Sequence, residues 1–533
     1  MKNIQTLIIV VVALLVACYL ALQMVAGEYQ TAYAVLFGLV LLSFSKWLTV
    51  GFLGTVLFYH SSFQLPLPTS PQVWQLCSLL IPVGIVSGFF MGKARFPKEG
   101  GAFISIMVAV PALLYMGVVI VSTIYHGNSA TYLVTNQGGR QVLKQLMVLA
   151  LPLAAMVMIS TNVFPSKVFK IAFVLSASYL VSEACLFYAP SLFPYTTLFL
   201  EPSVDLMDYA GAVSAGSTIV RLQAVSVFST NIFALLLVIF PLRKLNQNPL
   251  LILPFGLVVI LLMAGVLYGG MRKSILFVPF AIVIALYYQR LWTFPKLICA
   301  AGLGVLTIIS LYPVIEYFPG AIQRALSVVP FFEKQVDPII LKNGWDIEQG
   351  RELVRDEVRR LSQGSGVMGV GLINEGGQDA HGDMVQWAID AKLYSSGFLG
   401  HYVILGLPGL IAAIMLAAGC GIFVHKTLRR LYRIDPDCIE LRILIVYFAY
   451  RLYYFLFFIR GGEVQGYAAM MALPAAVAVF FYKNSFVPGA MVADSKHKVF
   501  QKNQSGAEPK VGASVRTASD ARIPGHAVAV QVK

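Results

Sequence analysis

Apolar runs of about 20 residues, separated by short polar turns, recur from Thr6 to Tyr482. As a helix, each run of that length crosses the ~30 Å of hydrocarbon in a bilayer. The runs lie near 6–26, 30–45, 47–60, 72–92, 102–125, 143–162, 168–189, 223–242, 248–269, 273–289, 296–313, 395–424, 438–459 and 464–482. This pattern predicts an all-α fold, a polytopic transmembrane helical bundle of 12 to 14 spans. The range arises because 30–60 reads either as two short spans or as one long or re-entrant element. The first run follows Lys2 and lacks a small-residue cleavage site before Gly27, so it is expected to be a retained span rather than a signal peptide.

Short loops fix the expected orientation, because Lys and Arg concentrate on the cytoplasmic side. Lys93, Arg95 and Lys98, then Lys167 and Lys170, Arg243 and Lys244, Arg290 and Lys296, and Lys426, Arg429, Arg430 and Arg433 fall on alternate turns. That side is read as cytoplasmic, with both termini inside. Two hydrophilic segments then face outward, 189–223 and a large extracytoplasmic loop over 317–393 expected to contain short helices. Within the loop, Leu353, Val354, Val358 and Leu361 recur at helical spacing beside many charges, the pattern of an amphipathic surface helix. The predicted organisation is therefore 1–220, amino-terminal membrane helices; 221–316, membrane helices with outer-face arginines; 317–393, the loop; 394–483, carboxy-terminal membrane helices; and 484–533, a disordered cytoplasmic tail without hydrophobic period. If this orientation holds, cysteines introduced within 345–380 are labelled from outside by an impermeant maleimide and those within 425–435 are not. The reverse pattern overturns the topology.

Composition sharpens the class. Hydrophobic residues make up 58% of the 533 and charged residues 12%, about half the charged share of a soluble domain. The formal charge of +14 is accounted for by cytoplasmic loops, and no aromatic-interleaved basic patch suggests nucleic acid as a partner. Cys18, Cys77, Cys185, Cys299, Cys420 and Cys438 lie in or beside apolar runs without CxxC or Cys/His clustering, so they read as small buried hydrophobes rather than disulfides or a zinc site. No 20- to 50-residue repeat is visible.

The informative cations are those on the outer side. Arg221 opens a run, Arg272 and Lys273 occupy the next outer turn, and Arg460 lies at a later one. Each taken alone can snorkel to lipid phosphate. Two arginines in neighbouring hairpins, beside a loop holding His381, instead suggest an anion site, since the guanidinium fork donates parallel hydrogen bonds to a diphosphate and stays charged. His381, in Asp379-Ala-His381-Gly-Asp383, has the ordinary chemistry of a base that removes a sugar hydroxyl proton, although a lone loop histidine also suits a solvated surface. The glycines of Gly364-Ser-Gly-Val-Met-Gly369-Val-Gly371 allow close backbone packing nearby. Glu183 and Arg451, inside otherwise apolar runs, read as packing or pairing groups.

The order of these features resembles the O-antigen ligase and O-antigen polymerase superfamily, bacterial membrane glycosyltransferases acting on lipid-linked glycans. Arg221 to Asn231 resembles the family's arginine segment, Gly270-Met-Arg272-Lys273-Ser274 its second arginine turn, and Gly369-Val-Gly371 with His381 and Gly397-Phe-Leu-Gly400 its loop end. The resemblance covers about Arg221 to Leu416. It implies a bundle with a periplasmic cavity in the bacterial inner membrane, working without nucleotide sugar, essential metal or other cofactor. It also implies catalytic roles for His381, Arg272 and Arg221, with Lys273, Asp383 and Arg460 as substrate-binding candidates. The implied partners are an undecaprenyl-diphosphate-linked glycan, membrane lipid, and chain-length regulator and flippase proteins.

Two departures order the alternatives. Gly382 follows the histidine where ligases usually carry Asn, Ser or Gln, and fifteen residues, Gly382 to Ser396, separate His381 from Gly397, longer than the usual ligase gap. Polymerisation of repeat units into exopolysaccharide or O-antigen therefore leads, ahead of a ligase moving finished glycan onto lipid A-core or protein. From another class, a polysaccharide flippase or secondary transporter would carry charges through the bundle interior and a recognisable repeat.

Overall fold

A computed structural model of the chain describes residues 47–66, 72–90, 100–126, 137–157, 166–201, 223–269, 272–291, 312–318, 320–326, 330–336, 353, 356, 359–361, 363, 367–371, 398–458 and 464–484. All fall within one compact unit, Met1–Val487; a second, Pro488–Lys533, lies outside the described residues together with the runs at 6–26 and 30–45. The described residues are helical, with two isolated antiparallel bridges and no strands among them.

The helices are α1 (Trp47–Phe58), α2 (Val73–Phe90), α3 (Gly101–Tyr125), α4 (Gln137–Val157), α5 (Ser166–Leu175), α6 (Ala177–Tyr188), α7 (Phe193–Phe199), α8 (Gln223–Ile239), α9 (Leu242–Gln247), α10 (Ile252–Tyr268), α11 (Arg272–Tyr288), α12 (Gly320–Leu326), α13 (Phe398–Ile434), α14 (Ile439–Phe458) and α15 (Val464–Asn484). Among the described residues, three stretches are long and apolar enough to cross a membrane by length and composition: Gly101–Tyr125, Lys167–Tyr188 and Gly400–Ile434. Within 317–393, residues 353, 356, 359–361 and 363 are helical, with Arg359 paired to Asp356 at 2.9 Å.

Apolar sequence alone does not hold helices together in an apolar solvent, so close backbone approach matters. Where α1 meets α2, a Cβ on Gly84 would stand 2.5 Å from the Leu48 nitrogen. Where α3 meets α13, a Cβ on Gly419 would strike the Met107 carbonyl. Met107 belongs to a π-helical turn, Ser105–Ala109, a widened turn that leaves carbonyls displaced from the ordinary ladder. Between α4, α13, α14 and α15 the core is dense with small and β-branched residues, and Ala472 to Phe481 are buried without interruption.

Of the cations that alternation places on one side, Lys426, Arg430, Arg290 and Arg243 meet at one end of the bundle. Lys426 sits 4.5 Å from the Phe103 ring centroid, Arg430 5.1 Å from Tyr482 and Arg290 4.9 Å from Tyr432. Arg243 pairs with Asp437 at 3.9 Å, Arg442 donates to the Ile239 carbonyl at 2.9 Å, and Lys483 donates to the Met156 carbonyl at 3.2 Å. Because α8 and α11 finish at this end and α13 runs toward it, the starts of α8, α11 and α13 gather at the opposite end.

The run at 395–424 falls largely within α13, which is interrupted at Gly406, whose φ of 70° and ψ of −165° are non-helical. Pro408, two residues on, cannot donate to the ladder and its ring opposes the preceding turn. The freed backbone is satisfied by 367–371. Val370 N–H donates to the Val403 carbonyl at 2.8 Å and Gly371 N–H to Ile404 at 2.9 Å, while Leu407 N–H donates to the Val367 carbonyl at 3.1 Å. Gly369 and Gly371 also have positive φ, at 72° and 82°.

Candidate functional site

The residues singled out from sequence fall unevenly on the described structure. Arg221, His381, Asp383 and Arg460 lie outside the described residues. Arg272 and Lys273 form the first turn of α11, at the end opposite the stacked cations, and their side chains also lie outside the described set. Arg221 precedes the first residue of α8 by two positions, so the α8 and α11 starts, and with them the Arg272 backbone, share an end with the 367–371 segment.

What the structure does describe is a polar core reached from that same end. The chain leaving α1 turns inward at Tyr59 and His60 and is stitched in place over 61–64. Ser62 N–H and Oγ each meet the Ser178 Oγ of α6 at 2.9 Å. Glu201 N–H donates to the Ser62 carbonyl at 2.7 Å and Gln64 N–H to Phe199 at 2.8 Å, while Val73 N–H donates to Phe63 at 2.9 Å. Side chains extend the network: Trp74 Nε1 donates to Gln72 Oε1, and Gln72 Nε2 donates to Glu201 Oε2.

Beneath this connector lies Arg451. It stands twelve residues into α14, roughly 18 Å from the helix start at 1.5 Å per residue, and is only 6% exposed. Its guanidinium lies 5.1 Å from the ring centroids of both Tyr59 and Tyr450. Aromatic faces offset part of the large cost of burying a cation. His60 fills the next position, with ring centroids 5.5 Å from Phe173, 5.8 Å from Tyr447 and 6.3 Å from Tyr450. Its Nε2 and the Tyr447 hydroxyl are buried without a hydrogen-bond partner among the described residues.

Glu183, the other charge inside an apolar run, has a structural role. Its Oε1 accepts from Ala224 N–H at 2.9 Å, satisfying a donor in the first turn of α8 and complementing that helix's positive end. Ser182 and Ser226 hydroxyls beside it are buried without a partner among the described residues.

A second polar cluster adjoins the break in α13. A Cβ on Gly371 would lie 2.8 Å from the His126 ring, and His401 packs on Tyr115 with centroids 5.8 Å apart. The Gly-rich approach is thus placed against a histidine at the end of α3. Sequence reading missed His60, His126 and His401. The i, i+4 spacing of Tyr447 and Arg451, which puts both on one helix face, is the signal that points to the Arg451 site. No group of three or more His, Cys, Asp or Glu suited to a metal occurs among the described residues.

Neither protein-family models, curated proteins nor solved structures gave a match to this chain.

Proposed function

We propose that this protein is a polytopic bacterial inner-membrane glycosyltransferase that polymerises undecaprenyl-diphosphate-linked oligosaccharide repeats at the outer face of the membrane. Three long apolar helices and seven shorter ones support the membrane reading. The observation that carries the enzymatic reading is the docking of Gly369-Val-Gly371 into the break of α13. It tethers the Gly-rich segment to the bundle ten residues before His381, at the end where α11 opens with Arg272.

In the proposed reaction the acceptor sugar hydroxyl oxygen attacks the anomeric carbon of the donor, and the bond from that carbon to the diphosphate oxygen breaks. The electron pair leaves with undecaprenyl diphosphate, and the hydroxyl proton passes to His381. Arg221 and Arg272 stabilise the charge that develops on the leaving diphosphate, the term that is usually largest in such catalysis. Single displacement gives inversion.

A second reading, transport of the lipid-linked repeat, is favoured by two observations. A helix interrupted in the bundle and an arginine buried beside a polar connector are features of transporters. Arg272→Lys separates the readings, because an ammonium keeps the charge and loses the paired donors. In cells making the glycan, the variant is expected to leave single repeats on the surface acceptor. Long chains stranded on undecaprenyl diphosphate would identify a ligase instead, and repeats held on the cytoplasmic side a transporter. Normal long-chain glycan would reject the enzymatic role.

A further inference from the structure

The exposed face of α13 changes character at one point. From Ile411 through Met415 and Ala418 to Ile422 it is apolar, and from Lys426 through Arg429 to Arg433 it is basic, with every one of these residues exposed. Steps of three and four residues place them all on one stripe of the helix. On one side of the stripe α13 packs on α3, through Gly419 against Met107 and through Phe423 against Phe103, whose ring centroids are 5.6 Å apart. On the other side it meets α11, where the Tyr288 hydroxyl lies 2.7 Å from His425 Nδ1, and Arg290 stacks on Tyr432 just beyond.

Length places the change at a membrane boundary. Lys426 is twenty residues past the break at Gly406, which is about 30 Å at 1.5 Å per residue, the thickness of bilayer hydrocarbon. With the break at one boundary, the apolar half of the stripe crosses the hydrocarbon and the basic half stands among headgroups at the other. Tyr287, exposed beside Tyr288 at the same level, is an aromatic residue of the kind that favours this interface.

The basic half has little counter-charge nearby. Among the described residues, the carboxylates at this end are Asp435, Asp437 and Glu440, on the turn into α14 and its start. Asp437 pairs with Arg243 at 3.9 Å, and Asp435 accepts from Asp437 N–H at 2.9 Å. Among the same residues, none stands within ion-pair distance of Lys426, Arg429 or Arg433. Like charges three and four residues apart weaken a helix, so an anion laid on the stripe relieves a cost already present. Arg429 and Arg433, one turn apart, present two guanidinium forks, and each fork fits a phosphate through parallel donors.

The apolar half decides which anion. A soluble phosphate uses only the basic half. A second copy docked face to face sets like charges against each other, and segment 488–533 is itself basic, with seven Lys or Arg against three Asp or Glu. A phospholipid uses both halves at once, its chains along Ile422 to Ile411 and its phosphate at the arginines.

We propose that this stripe of α13 is a binding site for an anionic phospholipid of the leaflet at the basic end, with Lys426, Arg429 and Arg433 on the headgroup. This rests on the membrane reading of the chain and not on its glycan chemistry. The bound lipid fixes the depth of the helix whose other end receives 367–371.

The test is native mass spectrometry of the full chain in detergent, titrated with phosphatidylglycerol, with phosphatidylcholine of the same acyl chains, and with glycerol 3-phosphate as the free anion. Each Lys or Arg beside an anionic lipid is worth about fivefold in affinity, so phosphatidylglycerol is expected to bind at least about tenfold more tightly than phosphatidylcholine. Arg429→Gln combined with Arg433→Gln is expected to lose about tenfold or more of the phosphatidylglycerol affinity and to leave phosphatidylcholine unchanged. Lys244→Gln removes an exposed cation at the same end, on α9, and is expected to lose none. Equal affinity for the two lipids overturns the site, and so does a loss in Lys244→Gln as large as in Arg433→Gln alone, which would show attraction to the whole charged end. Glycerol 3-phosphate displacing the lipid at equal concentration, or a dimer that the double variant dissolves, assigns the stripe to another occupant and overturns it too. Should the double variant fail to fold, Arg433→Gln alone decides, with an expected loss of about fivefold. A chain that retains neither lipid rejects this site together with the membrane reading, whereas one that retains both without preference rejects this site only.

Discussion

Gly406→Ala is expected to destabilise the protein by about 3 kcal/mol or more and to deplete it from the membrane fraction, whereas Gly421→Ala on the same helix is expected to be neutral or mildly stabilising. The two positions separate close backbone approach from helix propensity. At Gly406 a φ of 70° with ψ of −165° falls in a region open essentially to glycine alone, and holding a side chain there costs on the order of 1–3 kcal/mol. A Cβ would also run into the Val367 carbonyl, so the 367–371 segment has to retreat. Its retreat takes with it the three backbone bonds to Val403, Ile404 and Leu407. A Cβ on Gly421 meets nothing within 4 Å, so alanine there adds only its better helix propensity. Thermal unfolding of the detergent-solubilised variants checks both. Equal stabilities would show that the break contributes nothing to the fold.

His381→Ala is expected to lower chain extension by roughly 10²–10⁴-fold while lipid-linked repeats still reach the outer face. The measurement is incorporation of purified lipid-linked repeat into polymer by membranes containing each variant. The pH dependence carries a sign. A base works as neutral imidazole, so wild-type extension is expected to fall on the acid side of its pH profile. The His381→Ala variant should lose that acid limb along with its rate. A variant that keeps the wild-type rate and limb would assign the proton elsewhere, with His126 and His401 beside the α13 break the next groups to test.

Long apolar runs were legible in the sequence because length and hydropathy are local properties. The runs at 102–125 and 168–189 correspond closely to Gly101–Tyr125 and Lys167–Tyr188, and the alternating basic turns do converge through Lys426, Arg430, Arg290 and Arg243. The break in α13 was carried by Gly406-Leu-Pro408, a glycine and a proline two residues apart. In isolation that triplet also fits a kinked but continuous span, and only the distant 367–371 backbone decides between them. The Arg451 site was less legible still. Reading Arg451 as a packing or pairing group fits its burial, but Tyr59 and His60 come from a connector nearly four hundred residues earlier, and no local pattern links them. Glu183 reads as a packing or pairing group, and one of its partners is a backbone N–H, which sequence does not mark.

The docking of 367–371 into α13 also sets an order of assembly during synthesis. The segment precedes α13 in the chain, so under the proposed topology it has been translocated before the helix that needs it leaves the ribosome. A helix entering lipid with Gly406 unladdered would present bare backbone polar groups, each costing several kcal/mol. With the earlier segment already outside, those groups find their partners as the helix enters. Reversing that order, by a circular permutation that places 398–434 ahead of 367–371, would leave the nascent helix to wait in the bilayer with its hydrogen bonds open, exposed to quality-control proteases.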